Sequence, residues 1–277
     1  MPLCIVPTPV GNLEDMTPRG LRMLEEADFI ACEDTRSSLP LLRRFNISKP
    51  LVAYHAFNEK GKAEAILERL LSGEKGAIIS DAGTPGISDP GYEIIRRCIE
   101  AGVGITVLPG PTAFVPALVL SGLPPYPFLF YGFLPDKHGD RERTILSVAS
   151  LPWTLVFYVS PHKVSKHLLH LHDILGDRKA ALVREISKIY EEARRGTLST
   201  LAESVRDGVK GELVLIVEGA APAPAGEGWR EKAEELVERG VSSREVVKML
   251  SEEYGVSKND VKSFLFQQES SAPEHRE

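Results

Sequence analysis

Short apolar runs alternate with helical patterns along the first 121 residues of the chain. Each run is only a few residues long, which is the length expected of a buried strand. Strands are predicted at 3–6, 28–32, 51–53, 76–79 and 104–108. Thr17 and Pro18 predict the start of the first helix, as N-cap and first helical residue, and further helices are predicted up to Leu71, at 92–101 and at 113–120, the last capped by Thr112. This alternation predicts an α/β fold with a mostly parallel sheet.

The same alternation resumes after a proline-rich crossing at 121–127. Strands are predicted at 128–133, 154–159, 180–185 and 212–217, with helices at 141–149, 163–175 and 201–207 between them. We therefore predict an N-terminal α/β domain at 1–121 and a second α/β domain at 122–219. An Ala/Pro/Gly-rich linker at 220–228 precedes three helices in a module at 229–268 that resembles helix-turn-helix, and a polar tail follows at 269–277.

Loops rich in glycine and proline follow several of the predicted strands. The longest runs from Ser80 to Gly91, and others follow the strands that end at Val6 and Leu108. Such loops at the carboxyl ends of parallel strands form the ligand crevice of open α/β sheets. For any one of them alone a rigid surface turn is the favoured explanation, but their repetition predicts a shared ligand-binding face.

Composition narrows the possible functions. The chain has 277 residues, 43% hydrophobic, with a formal net charge of −6, which argues against a general nucleic-acid coat but allows a local basic face. Three separated cysteines predict buried free thiols in a reducing cytoplasm, and no stretch is apolar enough to predict a membrane span. The chain has neither a dinucleotide-binding glycine fingerprint nor a Walker loop, which disfavours nicotinamide and nucleoside-triphosphate enzymes.

Four histidines lie close together in the second domain, but we predict no metal site. Of His162, His167, His170 and His172, only His167 and His170 share a helical face, and no carboxylate partner is evident. A basic helix surface is the ordinary explanation. Two explanations remain open for the nearby basic residues: they form a phosphate-binding face, or they are simply solvated. These residues are Lys137, Arg141, Arg143, Lys163, Lys166, Arg178, Lys179, Arg194 and Arg195.

Five motifs together resemble the tetrapyrrole methylase family, whose members use S-adenosylmethionine. They are Pro7-Thr8-Pro9-Val10-Gly11-Asn12-Leu13, Glu33-Asp34-Thr35-Arg36, the loop from Ser80 to Gly91, Pro109-Gly110-Pro111, and Tyr131-Gly132-Phe133-Leu134-Pro135. Within the family they are most similar to the ribosomal RNA small subunit methyltransferase I branch. That branch methylates the ribose 2′-oxygen of a cytidine in the decoding region, acting on 16S ribosomal RNA or the assembled small subunit.

The resemblance implies two α/β domains, the second with a mixed sheet, that bind the methyl donor in the cleft between them, usually in a homodimer. It implies no metal. Donor contacts are expected at Val10, Ala82, Gly83, Thr84, Ile87, Thr112, Ala113, Val159 and Ile186. Tetrapyrrole-modifying members have an aspartate where this chain has Thr84, which weakens a tetrapyrrole substrate. A tetrapyrrole methyltransferase and a non-catalytic RNA-binding assembly protein remain the alternatives.

A ribose hydroxyl is a poor nucleophile when neutral, so a base or a cation close to it would assist methyl transfer. The strand-end positions offer Asp34, Arg36, His55, Glu59 and Asp89. Our hypothesis is that Asp34 or His55 accepts the proton and that Arg36 holds a phosphate or an oxyanion. Helix capping is an equal explanation for Asp34, as loop packing is for His55.

Overall fold

The computed structural model describes residues 2–55, 58–221 and 228–271. The chain forms two compact units, one at 1–219 and the other at 220–277. The larger unit contains two five-stranded sheets, and the smaller one contains helices.

The first sheet is entirely parallel. Its strands are β1 (Leu3–Ile5), β2 (Phe29–Cys32), β3 (Leu51–Ala53), β4 (Gly76–Ile79) and β5 (Ile105–Val107), in the order β3-β2-β4-β1-β5. The helices of this half are α1 (Pro18–Glu26), α2 (Thr35–Arg44), α3 (Glu59–Leu71), α4 (Tyr92–Glu100) and α5 (Phe114–Ser121). Leu3 and Ile5 enter one apolar core while Cys4 and Val6 enter another, so both faces of the sheet are buried.

The second sheet is mixed, as predicted. Its elements are β6 (Phe128–Phe133), α6 (His138–Val148), β7 (Thr154–Val159), α7 (Val164–Leu175), β8 (Lys179–Arg184), β9 (Glu192–Thr197), α8 (Leu198–Ser204) and β10 (Leu213–Val217). The strand order is β6-β7-β10-β8-β9, and only the β6–β7 pair is parallel. Ala117 and Leu118 of α5 pack against Val156 and Val214 in this sheet, which joins the two halves of the larger unit.

The described residues of the smaller unit form three helices, α9 (Trp229–Glu238), α10 (Ser243–Glu253) and α11 (Lys258–Ser271). Trp229, Leu236, Val246, Leu250 and Val261 contribute to its own apolar core. The predicted boundary between the helical module and the polar tail, at 268/269, is wrong because α11 continues to Ser271. Positions 272–277 of the predicted tail and 222–227 of the predicted linker lie outside the described residues. No helix in the described ranges is long and apolar enough to cross a membrane.

Strand β9 and the start of α5 differ from the sequence-based prediction. Strand β9 was missed because its sequence, Glu-Ala-Arg-Arg-Gly-Thr, has no apolar pattern; it is an edge strand paired only with β8. Thr112 does not cap α5, since the N-cap is Ala113 and no side chain accepts a hydrogen bond there. Thr17 does cap α1, accepting a hydrogen bond from the Gly20 N–H, as predicted.

Arg141 is buried, so both alternatives given for it, an exposed phosphate-binding face and simple solvation, are wrong. Its Nε donates to His170 Nδ1 at 2.9 Å, and its Nη1 donates to the carbonyl oxygens of Pro135 and Asp136 at 3.2 and 2.8 Å. His167 and His170 share a helical face as predicted, but that face is buried rather than a basic surface. Because Arg141 is only a donor, His170 must be neutral to accept its hydrogen bond.

Burial, with Arg141 and Lys163 as positive neighbours, lowers the pKa of His167 to about 4 from its ordinary 6.5. Asp136 opposes this shift and Lys166 adds to it. The unfolded chain therefore takes up a proton near pH 6.5, whereas the folded chain resists it until about pH 4. The free energy of unfolding therefore decreases as the pH is lowered from about 6.5 to about 4.

We predict that His167→Gln flattens this pH dependence. Between pH 7.5 and pH 5 the wild-type protein should lose about 2 kcal/mol more unfolding free energy than the variant, as follows from about 1.4 kcal/mol per pKa unit. Urea unfolding at both pH values measures the difference. Parallel stability curves for the two proteins would show that His167 is not held neutral by the fold.

Candidate functional site

A pair of backbone hydrogen bonds joins the loops that follow β1 and β4. The Thr8 N–H donates to the Gly83 carbonyl and the Gly83 N–H donates to the Thr8 carbonyl, each at 2.9 Å. The buried Thr8 hydroxyl also donates to the Ser80 carbonyl at 2.9 Å. Gly83 has φ of +86°, a backbone conformation that glycine adopts without strain. The two loops therefore form one fixed wall.

Two further contacts attach neighbouring segments to this wall. Thr84 Oγ1 donates to the Pro111 carbonyl at 3.0 Å, which holds the loop after β5 in place. Gly11 lies against the segment after β8, where an added Cβ would stand 2.5 Å from the Ile186 carbonyl oxygen. A side chain at position 11 would thus push the first loop away from the second sheet.

These segments enclose a cavity of about 360 Å³, within the size range of small-molecule sites. All nine residues at which donor contacts were expected line it: Val10, Ala82, Gly83, Thr84, Ile87, Thr112, Ala113, Val159 and Ile186. They come from both halves of the larger unit. The structure thus brings the expected donor contacts together in one place.

Among the described residues, those that line the cavity carry negative but no positive side chains. Asp81, Asp89 and Glu212 contribute carboxylates, and the lining residues include no lysine, arginine or histidine. Phe133 and Tyr158 add aromatic rings, whose faces attract cations. This lining fits a positively charged, partly apolar ligand such as a sulfonium and disfavours a phosphate or a polycarboxylate.

Asp89 is the carboxylate in this lining with a raised pKa. Burial is the main cause, and the negative charge of Asp81 adds to it, while a hydrogen bond from Ser80 acts in the opposite direction. Nearby, burial and the charges of Asp89, Asp81 and Asp34 raise the pKa of Glu33. Asp81 accepts a hydrogen bond from Ser37 of α2. A carboxylate that is partly desolvated beside a ligand cavity is well suited to accept a proton.

Asp34 and Arg36 do not line the cavity, and they bind each other. Asp34 is the N-cap of α2 and accepts a hydrogen bond from the Arg36 N–H at 2.8 Å, while Arg36 Nη2 lies 2.7 Å from Asp34 Oδ2. These bonds with Arg36 lower the pKa of Asp34 to about 2. Asp34 is therefore a weak base in this structure.

His55 and Glu59 also lie outside the cavity lining. His55 Nε2 is 3.1 Å from Asn58 Nδ2, next to residues 56–57, which the structure does not describe. Glu59 Oε1 accepts hydrogen bonds from the N–H groups of Gly91 and Glu93 at 3.1 and 3.2 Å, at the start of α4. Glu59 thus caps a helix that has no side-chain cap of its own.

Several lining residues were not singled out from the sequence. Phe133 lies within a quoted motif, and Tyr158 lies in a predicted strand, but an aromatic residue in a strand is more often simply core. Glu212 precedes β10, which runs antiparallel to β7, so its carboxylate reaches the same edge of the sheet from the start of a strand. Only the strand order reveals that position. Among the described residues, no three His, Cys, Asp or Glu side chains converge as a metal site would require.

Comparison with protein families gives a match to the Tetrapyrrole (Corrin/Porphyrin) Methylases over residues 2–202. The chain belongs to the tetrapyrrole methylase family. This confirms the resemblance inferred from the motifs, and the matched region contains every residue on the cavity wall except those at the start of β10.

Relatives of this tetrapyrrole methylase include proteins named Ribosomal RNA small subunit methyltransferase I. The one from Halalkalibacterium halodurans is 40% identical over 96% of this chain and 95% of its own length. The one from Xylella fastidiosa is 46% identical over 80% of this chain and 83% of its own. The branch suggested by the motifs is thereby confirmed.

Solved structures support the same fold. The methyltransferase CobJ superposes with a TM-score of 0.62 at 20% identity, covering 81% of this chain and 97% of its own. A diphthine synthase superposes with a TM-score of 0.63 at 16% identity, covering 79% and 90%. At these identities the likeness concerns the fold of the tetrapyrrole methylases, which the parallel and mixed sheets described above confirm.

We predict that Ala82→Trp fills the cavity and weakens S-adenosylmethionine binding at least tenfold. Ala82 is exposed on the cavity wall, so the larger side chain enters the cavity rather than the core. Ala65→Trp on the exposed face of α3 is the matched control and should leave binding unchanged. Calorimetric titration measures both; equal affinity of the two variants would mean that the donor binds elsewhere.

Proposed function

We propose that the protein is an S-adenosylmethionine-dependent methyltransferase that methylates the ribose 2′-oxygen of a cytidine in the decoding region of 16S ribosomal RNA. The observation that carries the proposal is the cavity lined by Asp81, Asp89, Glu212 and aromatic rings without any cation. When bound there, S-adenosylmethionine would supply a methyl group on a positively charged sulfur. The names of the relatives support ribosomal RNA as the acceptor.

The cavity argues against a tetrapyrrole acceptor. Biosynthetic tetrapyrroles carry several carboxylate side chains, which the carboxylates of the lining would repel. Thr84, at the position where tetrapyrrole-modifying members have an aspartate, binds the Pro111 carbonyl instead. A non-catalytic RNA-binding role does not explain why the protein has a cavity suited to a cationic small molecule. We therefore favour the RNA methyltransferase.

Methyl transfer from sulfur to oxygen requires the acceptor oxygen, the carbon and the sulfur to lie in line. The fixed wall formed by the loops of Thr8 and Gly83 would hold the methyl donor in this alignment. The base of the acceptor nucleotide must leave its stacked position so that the ribose can enter the cavity, as in other enzymes that modify single nucleotides. As the C–O bond forms and the C–S bond breaks, the hydroxyl proton must pass to a base.

For that base we propose Asp89 in preference to Asp34 and His55. Asp89 lines the cavity, whereas Asp34 is the cap of α2 and His55 contacts Asn58 outside it. The raised pKa of Asp89, caused mainly by burial, makes it a stronger proton acceptor than an exposed aspartate. Arg36 remains our proposed contact to an RNA phosphate, since its side chain is exposed.

The proposed setting is the cytoplasm, with a homodimer acting on 16S ribosomal RNA or on the assembled small subunit. No metal ion is part of the proposal, because in-line transfer from a sulfonium requires positioning and a base rather than a Lewis acid.

The proposal is tested by transfer of labelled methyl from S-adenosylmethionine to small ribosomal subunits that lack their modifications. Nuclease digestion then maps the label. We expect it on the ribose of a decoding-region cytidine. Label on a base, on a tetrapyrrole added in parallel, or on neither substrate despite donor binding would refute the proposed reaction.

We predict that Asp89→Asn lowers kcat at least 100-fold and leaves the donor Kd within about threefold, because loss of a general base costs roughly 10² to 10⁴ in rate. Since the pKa of Asp89 is raised, wild-type turnover should rise with pH as this group deprotonates, and the variant should lose that limb.

Asp34→Asn is the matched control for this experiment, because asparagine caps a helix as well as aspartate does. It removes the same charge from a neighbouring loop and should keep turnover within about fivefold of wild type. A larger rate loss in Asp34→Asn than in Asp89→Asn would return the role of base to Asp34.

A further inference from the structure

Residues 228–271 of the smaller unit contain a basic groove that the methyl-transfer chemistry does not use. It is an open concavity of about 930 Å³ between α10 and α11, which we call the α10–α11 groove. Arg244 and Lys248 line it from α10, and Lys258 and Lys262 line it from α11. Each pair is spaced i, i+4, so each helix presents two cations from one face.

The four cations of the groove are exposed and carry no ion pair with any residue in the described ranges. Other cations of the same unit are engaged. Lys232 and Arg239 of α9 both pair with Glu235, and Arg230 lies 4.7 Å from the ring centre of Trp229. The unpaired cations of this unit therefore concentrate in the groove.

Glu245 is the one carboxylate among the lining residues that the structure describes, and it accepts a hydrogen bond from the Ser242 hydroxyl at 2.6 Å. With four cations against this single carboxylate, the groove is positive in a chain whose formal net charge is −6. The first turn of α10 adds the positive end of its helix dipole at Ser242 and Ser243. The groove is thus complementary to a polyanion.

An exposed aromatic ring distinguishes RNA from other polyanions as the partner. Phe266 lines the groove with 71% of its surface exposed, next to the cations of the same helix. Unstacked RNA bases stack on aromatic side chains while cations follow the phosphates, and this combination is typical of surfaces that bind single-stranded RNA segments.

We propose that the α10–α11 groove binds an unpaired segment of the substrate RNA, with Arg244, Lys248, Lys258 and Lys262 on phosphates and Phe266 against a base. The choice of RNA rests on the proposed function. The groove and the donor cavity are separate in sequence and chemistry, so each is testable without the other.

The test is binding of unmodified 16S ribosomal RNA to the full-length protein at several salt concentrations. The groove variant is Lys248→Gln with Lys262→Gln. We expect about tenfold weaker binding, and a salt dependence of log K that is shallower by roughly 1.4, since each lost phosphate contact to a single strand removes about 0.7 from the slope.

Lys232→Gln with Arg239→Gln is the matched control, because it makes the same charge change on α9 of the same unit. It should bind the RNA within about twofold of wild type, and both variants should keep the wild-type Kd for S-adenosylmethionine. Phe266→Ala should weaken RNA binding without changing the salt slope, which separates stacking from charge.

Equal losses in the groove variant and the α9 control would overturn the proposal, as would RNA binding unchanged by the groove variant. Groove-dependent binding to phosphatidylserine vesicles but not to RNA would overturn it in favour of a membrane surface. If the groove binds RNA while the wild-type protein transfers no methyl group to it, the groove stands and the proposed reaction fails.

Discussion

The pair of backbone hydrogen bonds between Thr8 and Gly83 is the constraint on which the cavity depends. Strands β1 and β4 are neighbours in the sheet, but their following loops are free to diverge once the strands end. The exchange of N–H and carbonyl groups extends the contact beyond the sheet, and the Thr8 hydroxyl donates a buried hydrogen bond to the Ser80 carbonyl. Gly83 is then held beside Val10, where an added Cβ would lie 3.5 Å from the valine methyl group.

The distribution of charge makes an acidic chain compatible with an RNA substrate. Asp81, Asp89 and Glu212 suit the cavity to a cation, and the same carboxylates repel phosphates. In our proposal, a ribose enters the cavity while its phosphates stay outside, and the cations of the α10–α11 groove bind RNA at another surface. Net charge alone conceals this division, because the paired and unpaired cations count equally in the sum of −6.

The apolar pattern predicted most of the fold because buried strands have little alternative to apolar residues. Strands β6 and β7 have the predicted bounds, whereas β9 was missed because an edge strand needs no apolar face. Most of the expected donor contacts lie on the cavity because they come from loops at strand ends, which parallel strands bring to one edge, whereas Val159 and Ile186 reach it from the mixed second sheet. Glu212 reaches that edge from the start of an antiparallel strand, and strand order was not available from the sequence.

The candidate base was harder to predict because a helix start and a catalytic site favour the same residues in the same loops. Asp34 and Glu59 are both acidic groups near strand ends, and both satisfy N–H groups at the start of a helix, α2 for Asp34 and α4 for Glu59. Asp89 belongs to the loop that precedes α4, yet Glu59 supplies the hydrogen bonds to that helix start. The cap provided from a distant part of the chain leaves the Asp89 carboxylate on the cavity wall, where burial can raise its pKa. A residue's position in sequence could not reveal this, since it depends on a side chain thirty residues away in sequence.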